Sequence, residues 1–289
     1  MVDLSPGNKG AAYSIEDLAK ISPDEGLHNQ NLQDLFEHWV KGDSYKDRST
    51  IMAVPAVSNP LCKDDQPIIP VPPRVVQSWL SLQTPANQKF TRVMVENCEV
   101  ADAYNQIIQL ILNDEGLSTW KYLLTVETDN IPPPNGLLQL LEDIESICVC
   151  NHIQADHKPD KPCCDCQKYR HVEYGAIGGL YWAKGPGGSP MCYGKSGEIP
   201  RSYQPWIPPP NSVVECNGLG QGFTLFKIEM FKHVPPPWFK TVQEWVIGIG
   251  ERHQTQDMYF FNNAAKFGYK FACSTNVRVG HIDSDGVVW

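Results

Sequence analysis

Between residues 50 and 146 short apolar runs alternate with amphipathic ones, and this alternation narrows the possible folds more than any other feature of the chain. TIMAVPAV, FTRVMVEN and WKYLLTVETDN are short, apolar and rich in β-branched residues, the signature of buried strands. PRVVQSWLSL, EVADAYNQIIQLILND and GLLQLLEDIESI repeat their apolar residues three and four apart, the period of a helix with one buried face. The last of these begins just behind Pro132, Pro133 and Pro134, whose fixed φ suits a helix start. Strands apolar on both faces, alternating with helices, predict an α/β fold with a mostly parallel central sheet covered by helices. Ligands of such sheets bind at the carboxyl ends of the strands. That rule lines up Pro55, Glu96 and the turn Glu127-Thr128-Asp129 along one crevice.

The remainder of the chain has a different texture. Residues 1–48 are polar and carry two amphipathic patterns, SIEDLAKI and NLQDLFEHWV, the first with Ser14 placed as an N-cap three residues before Asp17. They predict an N-terminal helical extension to a main domain over 49–289. The stretch SNPLCKDDQPIIPVPPR is too rich in proline for regular structure. Later candidate strands are AIGGLYWAK, GFTLFKI and YKFACSTNVRVG, with one helix at DMYFFNNAAKFG and rigid loops at PWIPPPN and VPPPWF. With 289 residues and 42% hydrophobic content the chain can bury a full core. A formal net charge of -9 argues against a broad basic grip on nucleic acid. No apolar run reaches the roughly 20 residues of a membrane span, and MVDLSPGNKGAAYSIEDL has no signal-peptide core, so a soluble cytoplasmic protein is expected.

The acidic turn carries the chemistry. Two carboxylates at i and i+2, at the mouth of a parallel sheet, can hold a divalent cation that in turn holds a diphosphate. The plainer alternative is that Glu127 ends a strand and Asp129 caps the proline-rich helix start.

Four motifs in order favour the first reading. VETDNIPPPNGLLQLLEDI, AIGGLYW, GLGQGFTLFKIEMF with a following PWF, and TQDMYFFNNAAKFGYKFACSTNVRVGHID together resemble glycosyltransferases of GT-A architecture, family 2 type, in their short phage and bacterial forms. The resemblance covers about residues 50 to 283. It implies a metal-dependent hexosyl transfer, inverting in outcome, from a nucleoside-diphosphate sugar (UDP-sugar foremost) to an acceptor hydroxyl. Asp129 would ligate Mn²⁺ or Mg²⁺, Glu127 would assist through ribose or a metal-bound water, and His281 would complete the metal shell. Asp257 would be the general base, although Gln256-Asp257 stands where the family has Glu-Asp. Pro55, Ala56 and Glu96 would line the nucleoside pocket, and Asp102 and Asn105 would lie over the donor, with a solvated first-turn acid as the alternative for Asp102. The family's Pro-Thr-Arg after the first strand is replaced here by PAVSNP. Trp182 would border acceptor or sugar, and Gly218, Gly220 and Gly222 would let backbone amides approach the sugar. The acceptor is left open between a hydroxymethylated base in phage DNA, a protein and a surface glycan; a phage enzyme would work in the host cytoplasm.

Five of the ten cysteines fall in ICVCNHIQADHKPDKPCCDCQKYRH, over 148–171, where the family has a short connection. Without a signal sequence, thiols or a metal site are expected rather than disulfides. Cys150, His157, Cys163 and Cys166 are the first choice for a structural Zn²⁺, with Cys148, His152 and Cys164 as substitutes; a metal-free cysteine-rich loop is the alternative. A further reading, from another class, is a zinc-stabilised binding module without catalysis, in which the acidic turn is only a cap.

Overall fold

In the computed structural model the described residues are 46–56, 71–96, 99–146, 172–248 and 250–289. All but residue 46 belong to a compact unit spanning Asp47–Trp289. The helical extension expected over 1–48, apart from its last three residues, and the whole Cys/His-rich segment at 148–171 lie outside the described residues.

The alternation at residues 50–146 folds as its periodicity predicts. β1 (Thr50–Ala56), α1 (Pro73–Ser81), β2 (Phe90–Glu96), α2 (Val100–Asn113), β3 (Tyr122–Val126) and α3 (Gly136–Ser146) follow in order, with the two-residue strand β4 (Asn130–Ile131) between β3 and α3. The second half adds β5 (Ala176–Leu180), β6 (Cys192–Lys195), β7 (Val213–Leu219), β8 (Phe223–Lys227), α4 (Glu229–His233) and β9 (Val242–Val246). It ends with β10 (Gly250–Gln254), α5 (Gln256–Lys266), β11 (Phe271–Arg278) and the short β12 (Gly280–His281). Eight strands form one sheet in the order β2-β1-β3-β8-β5-β11-β7-β6. β1 runs parallel to β2 and β3, and β5 parallel to β11; β8 and β7 are antiparallel to their neighbours. The protein is therefore a mixed α/β fold with a mostly parallel central sheet flanked by helices.

Side chains along β1 alternate between two cores, as the pleat requires. Ile51 and Ala53 join Tyr104, Ile107 and Ile111 of α2 and Phe260 and Phe261 of α5 on one face. Met52 and Val54 join Val75 and Trp79 of α1 and Leu137, Leu140 and Ile144 of α3 on the other. α3 is also pinned by polar contacts: Ser274 Oγ on β11 donates to the buried Asp143 carboxylate at 2.6 Å, and Gln139 donates to its other oxygen at 2.9 Å. One expectation fails at the sheet's margin. β2 is an edge strand and its alternate residues face solvent, Met94 being 49% exposed, so only β1 and β3 of the first three strands are apolar on both faces.

Candidate functional site

β3 ends at Val126, and the chain turns at once. Glu127 N–H donates to the Gly222 carbonyl at 3.2 Å, and Asn130 N–H returns to the Glu127 carbonyl at 3.1 Å. Thr128 and Asp129 form the tip of this turn. A separate two-stranded sheet then fixes its far side: β4 pairs antiparallel with β12, setting Asn130 opposite His281 and Ile131 opposite Gly280. Ile282 N–H donates to the Asp129 carbonyl at 2.8 Å, and His281 exchanges backbone hydrogen bonds with Trp289 at 3.1 and 2.9 Å. His281 is thus held from both sides, with its Nε2 3.3 Å from Asp129 Oδ2.

The other ring nitrogen of His281 defines what this contact is. His281 Nδ1 lies 2.7 Å from the Trp182 carbonyl, and a carbonyl can only accept, so Nδ1 carries the hydrogen. In the neutral ring Nε2 then presents a lone pair to a carboxylate oxygen. Two lone pairs at that distance call for a proton or a cation between them. Imidazoles that ligate metals are oriented in the same way, by a backbone carbonyl on the remote N–H.

Lys184 is a second partner, absent from the sequence expectations. Its ammonium sits 2.6 Å from the same Asp129 Oδ2. Burial alone would raise the Asp129 carboxyl; hydrogen bonds and charge from His281 and Lys184 outweigh it and hold the group below its ordinary range. The turn's first acid behaves oppositely. Burial, then the charges of Asp129 and Asp257, push Glu127 up to about 8, against smaller opposing effects of the Tyr104 hydroxyl and Lys184. At neutral pH the pair is therefore one protonated and one ionised carboxyl, which removes most of the repulsion between two acids on one turn. Tyr104 Oη lies 3.4 Å from Glu127 Oε1, and a protonated Glu127 is not a ready metal ligand.

Asp257 occupies the first turn of α5, where the helix dipole favours an acid. It is 6% exposed, and burial raises its pKa while the Thr255 hydroxyl and the Met258 N–H, both donating to Oδ1, work in the other direction. Its charge acts on Glu127, Tyr104, Tyr181 and Tyr193 alike, so it lies near the same corner.

Several buried polar atoms at this corner have no hydrogen-bond partner: Asp129 Oδ1 and both side-chain atoms of Asn130 and of Gln221. Unpartnered buried groups cost about 1–3 kcal/mol each, and natural folds keep them where something else meets them. The orphaned Asp129 oxygen and the free Nε2 of His281 fit a divalent cation such as Mn²⁺ or Mg²⁺. No cluster of three or more Asp, Glu, His or Cys side chains forms a cation cage among the described residues. The protein would thus provide two ligands, the pattern of a cation that also takes water and substrate phosphates.

The remaining expected residues divide. Pro55, Ala56 and Glu96 do lie together at the carboxyl ends of β1 and β2, with Ala56 directly opposite Glu96. Asp102 is an exposed acid in the first turn of α2, whose actual N-cap is Glu99. Asn105 has its carboxamide fully engaged elsewhere: it donates to the Phe239 carbonyl at 2.8 Å and accepts from Trp238 and Phe239 N–H at 3.0 and 3.1 Å. It staples the proline-rich loop to α2. Trp182 contributes its carbonyl to His281, while its ring packs on the core. A Cβ at Gly218, Gly220 or Gly222 would meet a protein side chain, namely Met258, Tyr181 or Asn130, and the Gly220 and Gly222 amides donate to the Met191 carbonyl at 3.2 Å and the Tyr181 hydroxyl at 2.8 Å. Lys184 could have been suspected only as a lone cation before the turn GPGG; Tyr104 and Gln221 gave no local signal. Cys150, His157, Cys163 and Cys166 lie outside the described residues.

No protein-family model matches the chain, and no curated protein matches it. Among solved structures the chain is similar to A197 from STIV, with 15% sequence identity and a TM-score of 0.48 over 83% of this chain and 92% of that one.

Proposed function

We propose that the protein is a glycosyltransferase that moves a sugar from a nucleoside-diphosphate sugar to an acceptor hydroxyl, on a GT-A form of its α/β fold. The observation that carries this reading is the meeting of Asp129 and His281, 152 positions apart in sequence, at 3.3 Å on the carboxyl-end side of the sheet. Asp129 and His281 would hold Mn²⁺ or Mg²⁺, which when bound neutralises charge developing on the departing diphosphate. The chain's own groups do the rest. Pro55, Ala56 and Glu96 border the place where the nucleoside would lie. Asp257, a buried carboxylate with a raised pKa, is a stronger base than a solvated one and can take the acceptor hydroxyl's proton as that oxygen attacks the anomeric carbon. A single base of this kind supports inversion. Protonated Glu127 leaves Asp129 as the one ionised group of the turn.

Calorimetric titration with UDP-glucose in the presence and absence of Mn²⁺ tests the reading. Metal-dependent binding that disappears in Asp129→Ala is the expected result. Indifference to both ligands would instead favour a binding module without catalysis.

A further inference from the structure

Asp129 carries both of its side-chain partners on one oxygen, Oδ2, while Oδ1 is buried and bare. Of the two, Lys184 is the closer, its ammonium 2.6 Å from Oδ2 against 3.3 Å for His281 Nε2. The backbone beside Lys184 is fixed. Met191 N–H donates to the Tyr181 carbonyl and Ala183 N–H to the Ser189 carbonyl, both at 2.8 Å, and Trp182 bridges Pro190. Beyond it the turn at Gly185 and Gly187 has positive φ (+92° and +78°), and a Cβ at either glycine would meet nothing within 4 Å. Lys184 is therefore a flexible four-carbon tether on a fixed base, one-third exposed, beside a turn whose Gly185 and Gly187 face open space among the described residues.

A divalent cation held by Asp129 and His281 needs the Asp129 oxygens and the Nε2 lone pair, where the ammonium already stands. Two cations on one carboxylate repel, so metal binding weakens the hold of Asp129 on the lysine. A diphosphate offers it strong acceptor oxygens at the same corner. We propose that Lys184 is a tethered counter-ion and a substrate-contacting residue: it occupies Asp129 before the donor arrives and moves to the donor's diphosphate oxygens once a divalent cation is bound. This rests on the glycosyltransferase reading. By linkage, the lysine opposes binding of the metal alone and favours binding of metal and diphosphate together.

The two effects have opposite signs, which makes the test sharp. Free Mn²⁺ is followed by its paramagnetic resonance signal during titration of the wild type, Lys184→Met and Lys184→Arg, and UDP binding is measured at saturating Mn²⁺. Lys184→Met should bind Mn²⁺ alone about 5- to 10-fold more tightly and bind UDP about 10-fold more weakly, whereas Lys184→Arg should stay near wild type in both arms. An unchanged or weaker affinity of Lys184→Met for Mn²⁺ alone overturns the proposal. If the wild type binds Mn²⁺ and UDP and Lys184→Met matches it in both arms, the role of Lys184 falls and the enzyme reading stands. If no form of the protein binds either probe, the enzyme reading falls and this proposal falls with it.

Discussion

Two positions apart on one turn, Glu127 and Asp129 have opposite surroundings. Glu127 looks inward, toward the Tyr104 hydroxyl and the charges of Asp129 and Asp257, and is held protonated near neutrality. Asp129 looks toward a lysine and a histidine and is held ionised. An acid-x-acid motif therefore need not be a pair of equivalent ligands. Which acid stays ionised is decided by what the distant parts of the chain bring to each, here the strand Gly280–His281 and the segment around Lys184.

The comparison can be pressed from several directions. Asp257→Asn has the largest expected effect: sugar transfer, followed by release of nucleoside diphosphate, should fall about 10²- to 10⁴-fold with donor affinity within a few-fold. Because a negative charge near Glu127 is removed, the Glu127 pKa should also move down from about 8, read by carboxyl carbon resonance. His281→Ala should weaken Mn²⁺ binding about 10- to 100-fold by calorimetry; an unchanged affinity would leave Asp129 without its partner role. Glu127→Gln should do little to that affinity and show itself in the pH dependence of stability. A raised carboxyl binds more protons folded than unfolded, so its contribution is full below the unfolded value of about 4.5 and is lost as pH rises toward 8. The glutamine variant should consequently gain on the order of 1–2 kcal/mol over wild type at pH 9 and nothing at pH 4, in chemical denaturation. Tyr104→Phe should be the mildest, costing about 1 kcal/mol in the same assay.

How far the sequence reaches differs across the sheet. The half built from β1, β2 and β3 follows local periodicity, since each parallel strand is made and covered by its neighbours in sequence. The other half depends on pairings that no local pattern announces. β8 returns to insert antiparallel between β3 and β5, and β7 and β6 follow Gly, Cys and Pro residues that weaken any strand signal. The hairpin β9-β10 shows no alternation of apolar and polar residues, and Trp245 and Ile247 are almost fully exposed, so periodicity could not find it. The site repeats this division. The order of the motifs singles out Asp129, His281 and Asp257 as candidates, and the structure brings Asp129 and His281 to 3.3 Å of each other. Lys184, and the clamp that Asn105 makes on Trp238 and Phe239, follow from contacts across 55 and more than 130 positions.

The last strand of the central sheet closes at Arg278, while the histidine that faces Asp129 belongs to the next two-residue strand. The main sheet and the Asp129–His281 corner are therefore completed at different moments as the chain leaves the ribosome. A product cut after Arg278 would have every strand of the main sheet in hand and still lack the imidazole. Loss of a short carboxyl-terminal piece, by a premature stop or a protease, would thus take away the partner of Asp129 together with the buried Val279 and Ile282, while sparing every strand of the main sheet.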